Sequence, residues 1–506
     1  MLSVWEKSTR SNDAFPFLSP HKALPDTGPV FLAPNPENDT IPKPAISIPV
    51  RDVTGSGSVR RPRAWSALGR VLERHKKGDE MKRREFLDRM KFGLGAAALS
   101  SGRRQPGSGP ANSSLAEPPF SVIASGAAPG QAYGSRDPLI EVNLAAIGWN
   151  LRRVRERAKD PVMAVVKGNA YGHGLVETAK YLEAQGAEAL MTGKLDEAVR
   201  LKENGLSRPV FNFGPFGPAD AAEIVGRGIC QSVSSDEARA LAEAAAKAGR
   251  TAEVDIHVDT GLNRAGVPYQ RALPLIETIA SLRALRIKGV STALTEDPEF
   301  DREQLRRFLE VCSGAKRRGI ALGIRHAASS AALFEGPEFF LDMIRPGITL
   351  YGYYPNARTR KEDALGLKPV LKLKASVTFL NDLAGGETLS YLRAYKADKP
   401  MRVATLGIGY SDGYPVALGG TGVVLINGRK YPVLPAVTAN HTMIDLGNDT
   451  SVKIGDEAIL INDRRDSGLA ADALSNLSGI GDYKILIGLN PLVARRYLTE
   501  PTFMAH

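Results

Sequence analysis

The sequence predicts an α/β protein with a β domain attached: a (β/α)8 TIM-type barrel over residues 137–355, then a C-terminal all-β domain over residues 356–506. Three observations predict this. Short apolar, β-branched runs alternate with helically spaced stretches through residues 137–352. The polar residues of note fall where those runs end, the place at which a barrel builds its chemistry. Beyond Tyr353 the helical spacing gives way to brief β runs separated by glycine turns. An open doubly wound sheet carries the same local signature as the barrel and stays open on these grounds.

Taken in order, a strand-like Leu139–Asn143 precedes an amphipathic helix, Ala145–Ala158. Eight apolar runs follow: Met163–Lys167, Ala189–Gly193, Val210–Gly214, Gln231–Ser234, Val254–Asp259, Ile287–Thr292, Gly323–Ala328 and Met343–Gly347. Helical spacing fills the gaps, for example at Leu195–Asn204, Ala219–Arg227, Asp236–Ala248 and Arg302–Arg318. The later β runs are Val370–Phe379, Met401–Gly409, Val423–Ile426, Lys430–Leu434, Met443–Leu446 and Glu457–Leu460.

The first 130 residues read differently. The net charge is +11, and residues 1–130 hold 19 Lys and Arg against 12 Asp and Glu, so most of the basicity lies there. The small remainder is no nucleic-acid footprint. Residues 1–80 are largely an extension rich in Pro, Ser, Asn and Gly that cannot bury enough apolar area to order itself, with a short basic helix expected over 66–80. Residues 81–130 form a signal and linker. Met81 to Gly102 places Arg83 and Arg84 before Phe86, Leu87 and a weakly apolar stretch, which resembles a twin-arginine export signal and implies a periplasmic destination. The bland reading is a basic amphipathic helix in a tail. Met81 is then a natural start, with residues 1–80 an over-extended reading frame. No apolar run is long enough to span a membrane. Cys230 and Cys312 lack metal-ligand spacing and read as small core residues, so no metal is expected.

The densest chemistry lies in Met163-Ala164-Val165-Val166-Lys167-Gly168-Asn169-Ala170-Tyr171-Gly172-His173-Gly174. A lysine ending a buried strand loses hydration, and a neutral amine attacks a carbonyl. A lysine snorkelling into solvent is the plain alternative. Asp259 to Arg264 alone reads as a capped turn, Ser329-Ser330 as a capping pair, and Arg345-Pro346-Gly347 as a strand end.

Together, in order and spacing, these segments resemble the alanine racemases, across roughly residues 137–500. The resemblance implies a fold-type III pyridoxal 5′-phosphate (PLP) enzyme that interconverts L- and D-alanine using two bases, with a broader amino-acid range as an open alternative. Lys167 is then the PLP lysine and one base, and Tyr391, reaching the partner subunit's site in a head-to-tail homodimer, is the other. Tyr171, Ser330, Gly347, Ile348 and Tyr483 are implied at the phosphate, and Arg345 at the pyridine nitrogen. Arg264, Tyr410 and Ala439 are implied at the substrate. A guanidinium cannot accept a proton, so Arg345 leaves the cofactor a moderate electron sink and favours return of the proton. Three positions depart from the family pattern. Thr292-Ala293-Leu294 lacks a histidine, His257 stands where a lysine is usual, and Ala439 replaces a methionine. A widened pocket and broader substrate range are expected from them. A catalytically silent PLP-binding homologue and a PLP decarboxylase of the same architecture are the alternatives. Arg345 and the missing Gly-rich phosphate loop speak against the decarboxylase.

Overall fold

The computed structural model describes residues 137–499. The extension, the twin-arginine stretch and the linker lie outside the described residues. Among the described residues no helix is long and apolar enough to cross a membrane.

The barrel wall begins at β2 (Met163–Val165) and continues through β3 (Ala189–Thr192), β4 (Val210–Asn212), β5 (Cys230–Val233), β6 (Ala252–Asp259), β7 (Leu285–Ser291) and β8 (Ile324–His326), all parallel and hydrogen-bonded in chain order. The eighth run closes the ring. Met163 N–H donates to the Ile344 carbonyl (2.9 Å) and Ile344 N–H to the Pro161 carbonyl (3.0 Å), while on the other side Arg345 N–H donates to the Ala328 carbonyl (2.8 Å). Each strand needs both faces covered, which explains the apolar runs of β2 to β4; β6 and β7 instead alternate, with Glu253, Asp255 and His257 on one face of β6. Met163, Ala189, Phe211, Cys230 and Met343, one from each of five wall segments, form an apolar layer inside the ring. Both cysteines are buried and free.

The helices start and stop where the chemistry directs. The carbonyl of the Asn143 side chain accepts from Ala146 N–H at 3.0 Å and caps α1 (Leu144–Ala158), whose last turn carries Arg155 and Arg157. Asp297 caps the 20-residue α7 (Pro298–Arg317) through the N–H groups of Glu299 and Phe300, with a proline in its first turn and Lys316 and Arg317 in its last. Between these lie α2 (Leu175–Ala184), α3 (Leu195–Glu203), α4 (Ala221–Arg227), α5 (Ala238–Lys247) and α6 (Tyr269–Ser281).

β1 (Leu139–Asn143) corrects the simplest reading of chain order. It pairs antiparallel with β9 (Leu371–Leu383) and parallel with β15 (Ala494–Leu498), so it belongs to the second sheet and not to the barrel. That sheet also holds β10 (Met401–Leu406), β11 (Val423–Ile426), β12 (Arg429–Val437), β13 (Thr442–Gly447) and β14 (Glu457–Ile461). The long β9 shifts register between Val377 and Phe379. Its first half pairs with β14 and its second with β10, and this closes an antiparallel barrel. The C-terminal domain is the β domain expected, with two short helices, α8 (Ala471–Ser478) and α9 (Asp482–Ile487), inserted between β14 and β15.

Of these, α9 packs on the segment that follows β2. A Cβ at Gly172 would lie 2.0 Å from the Leu486 carbonyl oxygen, and the residue's φ is +83°. Glycine is required there on both counts. Arg495 of β15 donates from Nε and Nη2 to the Gly172 carbonyl at 3.0 and 2.9 Å.

Candidate active site

Lys167 leaves the end of β2, and the chain then does something rare. Gly168, Asn169, Ala170 and Tyr171 take φ values of 64°, 56°, 53° and 52°, one turn of left-handed helix. For residues with a Cβ this costs about 1–2 kcal/mol each, so neighbours must hold it. Asn169 N–H donates to Glu197 Oε1 (2.9 Å), and Asn169 Oδ1 accepts from Leu175 N–H (2.9 Å). The second Glu197 oxygen accepts from Gly193 N–H at 3.2 Å, next to the Lys167 stem. His173 is wholly buried; its Nδ1–H donates to the carbonyls of Tyr171 (2.8 Å) and Ala170 (3.1 Å). Burial pushes the His173 imidazole down to about 3, so it stays neutral.

The strained turn presents two groups. Lys167 stands at the mouth of the barrel, and its ammonium is held below its ordinary range by burial, then by the charges of Arg264 and Arg345; Glu197 and Glu296 oppose them. Tyr171 points inward, stacked on Tyr351 at 4.7 Å and tilted against Tyr483 at 5.8 Å. A Cβ at Gly347 would come 2.4 Å from the Tyr171 hydroxyl. Gly347 N–H donates to Ser330 Oγ at 2.9 Å, and Ser330 Oγ lies 3.2 Å from Thr349 Oγ1. Ile348 follows, buried. Thus Tyr171, Ser330, Gly347, Ile348 and Tyr483 converge, as the sequence suggested. Thr349 and Glu197 join them and were not singled out.

Arg345 anchors a second cluster. It is 6% exposed, and its guanidinium donates to His326 Nδ1 (2.7 Å), to the His326 carbonyl (2.6 Å), to the Thr292 carbonyl (2.7 Å) and to the Ala327 carbonyl (3.0 Å). Burial lowers it to about 10, against the attraction of Asp255, so it remains a cation at neutral pH. His326 Nε2–H donates to Asp255 Oδ1 at 2.8 Å. His257, one of the departures, joins the same network through Ser291 at 3.1 Å. Asp255, Ser291 and His326 were not picked out from sequence. The signal for His326 was its place just before Ala327-Ala328-Ser329-Ser330, two residues from Ile324 on a period-two strand.

The remaining candidates sit further out. Arg264 is exposed on the loop after β6, where Asp259 Oδ1 accepts from Gly261 and Asn263 N–H at 3.0 and 3.1 Å. Ala293 carries no imidazole, but its carbonyl accepts from Gln304 Nε2 at 3.1 Å. Tyr410 and Ala439 lie on facing loops, tied by Tyr410 N–H to the Thr438 carbonyl and Ser411 N–H to the Ala439 carbonyl, both 3.0 Å. Tyr391 is 81% exposed on an excursion between the short strands Thr388–Leu389 and Tyr395–Lys396. Among the described residues no hydrogen bond links it to Lys167 within the protomer.

With this geometry in place, comparison with known proteins gives a consistent result. The model of the alanine racemase N-terminal domain matches residues 142–355, and that of the C-terminal domain residues 370–497. The chain belongs to the alanine racemase family. An alanine racemase from Carboxydothermus hydrogenoformans is 36% identical over 364 residues, 71% of this chain and 98% of the relative. One from Clostridium tetani is 33% identical over 369 residues, 71% of this chain and 95% of the relative. Among solved structures, the racemase of Clostridium difficile superposes with a TM-score of 0.69 at 27% identity, covering 72% of this chain and 97% of that one. The racemase of Bartonella henselae, with covalently bound pyridoxal phosphate, gives 0.63 at 25% identity, covering 71% and 99%. Fold and family agree with the sequence reading. Lys167, the inward Tyr171 and the buried Arg345 occupy one end of the family's barrel.

Proposed function

We propose that this chain is a PLP-dependent alanine racemase. The observation that carries the reading is Lys167, an amine disfavoured as a cation, set beside a cradle shaped for an anion. The cradle fits a phosphate: the Gly347 N–H, the Ser330 and Thr349 hydroxyls and the Tyr171 hydroxyl converge where no side chain larger than hydrogen is accommodated at 347. Ile348 and Tyr483 complete it. When bound, PLP supplies an electron sink that acidifies the α-proton of an amino acid.

The chain's own residues do the rest. Lys167 Nζ tethers the cofactor and then carries a proton at one face of the α-carbon. Tyr391 Oη carries it at the other face. Two groups are needed because one cannot reach both sides of a planar centre. The exposure of Tyr391 supports its service in a second copy, and hence a homodimer with shared sites. Arg345, fixed by four acceptors and still charged at neutral pH, orients the ring nitrogen and withholds full protonation. Arg264, Tyr410 and Ala439 line the amino-acid side, where the absence of a ring at Ala293 favours a wider substrate range. The Arg83-Arg84 stretch supports export to the periplasm.

The test is circular-dichroism decay of L-alanine, with L-lysine and L-serine in parallel, in PLP-loaded protein. Decay abolished by both Lys167→Ala and Tyr391→Phe supports the two-base reading. A visible PLP band without decay on any substrate refutes it in favour of a binding protein.

A further inference from the structure

The barrel interior holds a charge that the reaction above does not use. Asp255 lies on β6 at a register shift: Val254 faces Ile287 on β7, but Asp255 faces Gly289, so Lys288 is the extra residue of a bulge. Bulges re-aim the strand that carries them, and this one brings Gly289 and Ser291 of β7 opposite Asp255 and His257; Asp255, on the face of β6 that also holds His257, is wholly buried. Its Oδ1 meets His326 Nε2 at 2.8 Å and its Oδ2 meets Ser291 Oγ at 2.7 Å. His257 Nδ1 lies 3.1 Å from that same Ser291 oxygen.

Donor arithmetic settles every proton in this chain of bonds. A carboxylate only accepts, so the Ser291 hydroxyl and His326 Nε2–H both donate to Asp255. Ser291 Oγ, its hydrogen spent, accepts from His257 Nδ1–H. At the other end a guanidinium only donates, so His326 Nδ1 must present a lone pair to Arg345 Nη1 at 2.7 Å. The opposite His326 tautomer would set an N–H against the guanidinium N–H groups. Space is reserved for this arrangement. A Cβ at Gly289 would come 2.6 Å from Asp255 Oδ1 and 3.2 Å from His326 Nε2. Phe213 walls the cluster, its ring 6.0 Å from both imidazoles and 5.9 Å from the Arg345 guanidinium carbon.

We propose that Asp255 is a positioning residue: its buried carboxylate anchors the His326 ring through Nε2–H, so that Nδ1 holds Arg345 in place for the ring nitrogen of the cofactor. This rests on the reading of Arg345 given above. The bulge at Lys288 and the missing Cβ at Gly289 are the structural devices that make room for this anchor.

Long-range ¹⁵N–¹H correlation spectra of ¹⁵N-histidine-labelled, PLP-free protein at pH 7.5 read the tautomer directly. The expected result is neutral His326 protonated at Nε2. In Asp255→Asn, which keeps the shape and removes the charge, the His326 Nε2–H meets a weaker acceptor and its proton resonance moves upfield, while Nδ1 still accepts from Arg345. After loading, kcat on L-alanine falls by about 10-fold or more with the KM little changed, and the PLP absorbance band shifts. Gly289→Ala, which intrudes on the bond but leaves the carboxylate, gives the same upfield shift and covers the case in which Asp255→Asn does not fold. Wild-type His326 found cationic or protonated at Nδ1 overturns the proposal. So do variants that keep the wild-type Nε2–H resonance and kcat. Should wild-type protein take up no PLP, the cofactor-facing half of the proposal falls, and the PLP-free spectra still decide whether Asp255 anchors His326.

Discussion

Acid should loosen the lysine turn by an amount the structure fixes. His173 is pushed down to about 3 by burial beneath the left-handed turn, and among the described residues its Nε2 finds no hydrogen-bond partner. In the unfolded chain the same imidazole titrates near 6.5. A folded value below the unfolded one means that the unfolded state takes up the proton first. The His173 contribution is therefore complete above about pH 6.5 and is lost as pH falls from there toward 3. Between pH 7.5 and 5.0 the unfolded state gains roughly 1.5 units of proton affinity at this site, or about 2 kcal/mol at 1.36 kcal/mol per unit. His257, lowered to about 4 by burial, contributes a similar amount over the same interval. Urea unfolding of wild type and His173→Asn at both pH values isolates the first term. The variant is less stable at pH 7.5, having lost the Nδ1–H bonds and the contact with Tyr351, but its further loss on moving to pH 5.0 is about 2 kcal/mol smaller than the wild type's. Equal losses in the two proteins would refute the claim that the turn rests on a neutral imidazole.

Other consequences are as direct. Gly347→Ala places a methyl 2.4 Å from the Tyr171 hydroxyl, and overpacking of this kind costs about 1–3 kcal/mol, so PLP titrated by its absorbance should bind roughly 5- to 150-fold more weakly. Tyr391→Phe, altering an exposed side chain, should leave PLP affinity and melting temperature unchanged while kcat falls by 100-fold or more on the order of a lost general base. Glu197→Ala removes both acceptors that hold the turn, at Asn169 and Gly193; it should lower stability by about 2 kcal/mol and weaken PLP binding together, as read by urea unfolding and absorbance titration.

Much of the site was legible because its parts are local. Lys167 to Gly174, Ser330 and Arg345 to Gly352 each lie within a few residues, and their order along eight strand ends located them on one face of a barrel. The strain in the turn was half legible: glycines at 168 and 172 signal positive φ, whereas Ala170 and Tyr171 give no sign of it. What depends on distant pairing could not be read. β1 precedes the barrel in sequence, and only its partners at residues 371–374 and 494–498 assign it to the other sheet. Asp255 looks like an ordinary strand residue until the bulge in the neighbouring strand sets Gly289 and Ser291 opposite Asp255 and His257, and His326 comes within reach of the carboxylate. α8 and α9 were missed because short apolar stretches such as Ala471–Ser478 fall below the length at which helical period separates from strand.

The most direct measurement of the central claim is the optical rotation of L-alanine over time with PLP-loaded wild type beside Lys167→Ala. The account predicts decay of the signal to zero in wild type and none in the variant. A wild type that binds PLP and leaves L-alanine unchanged, or a variant that racemises as fast, would contradict it.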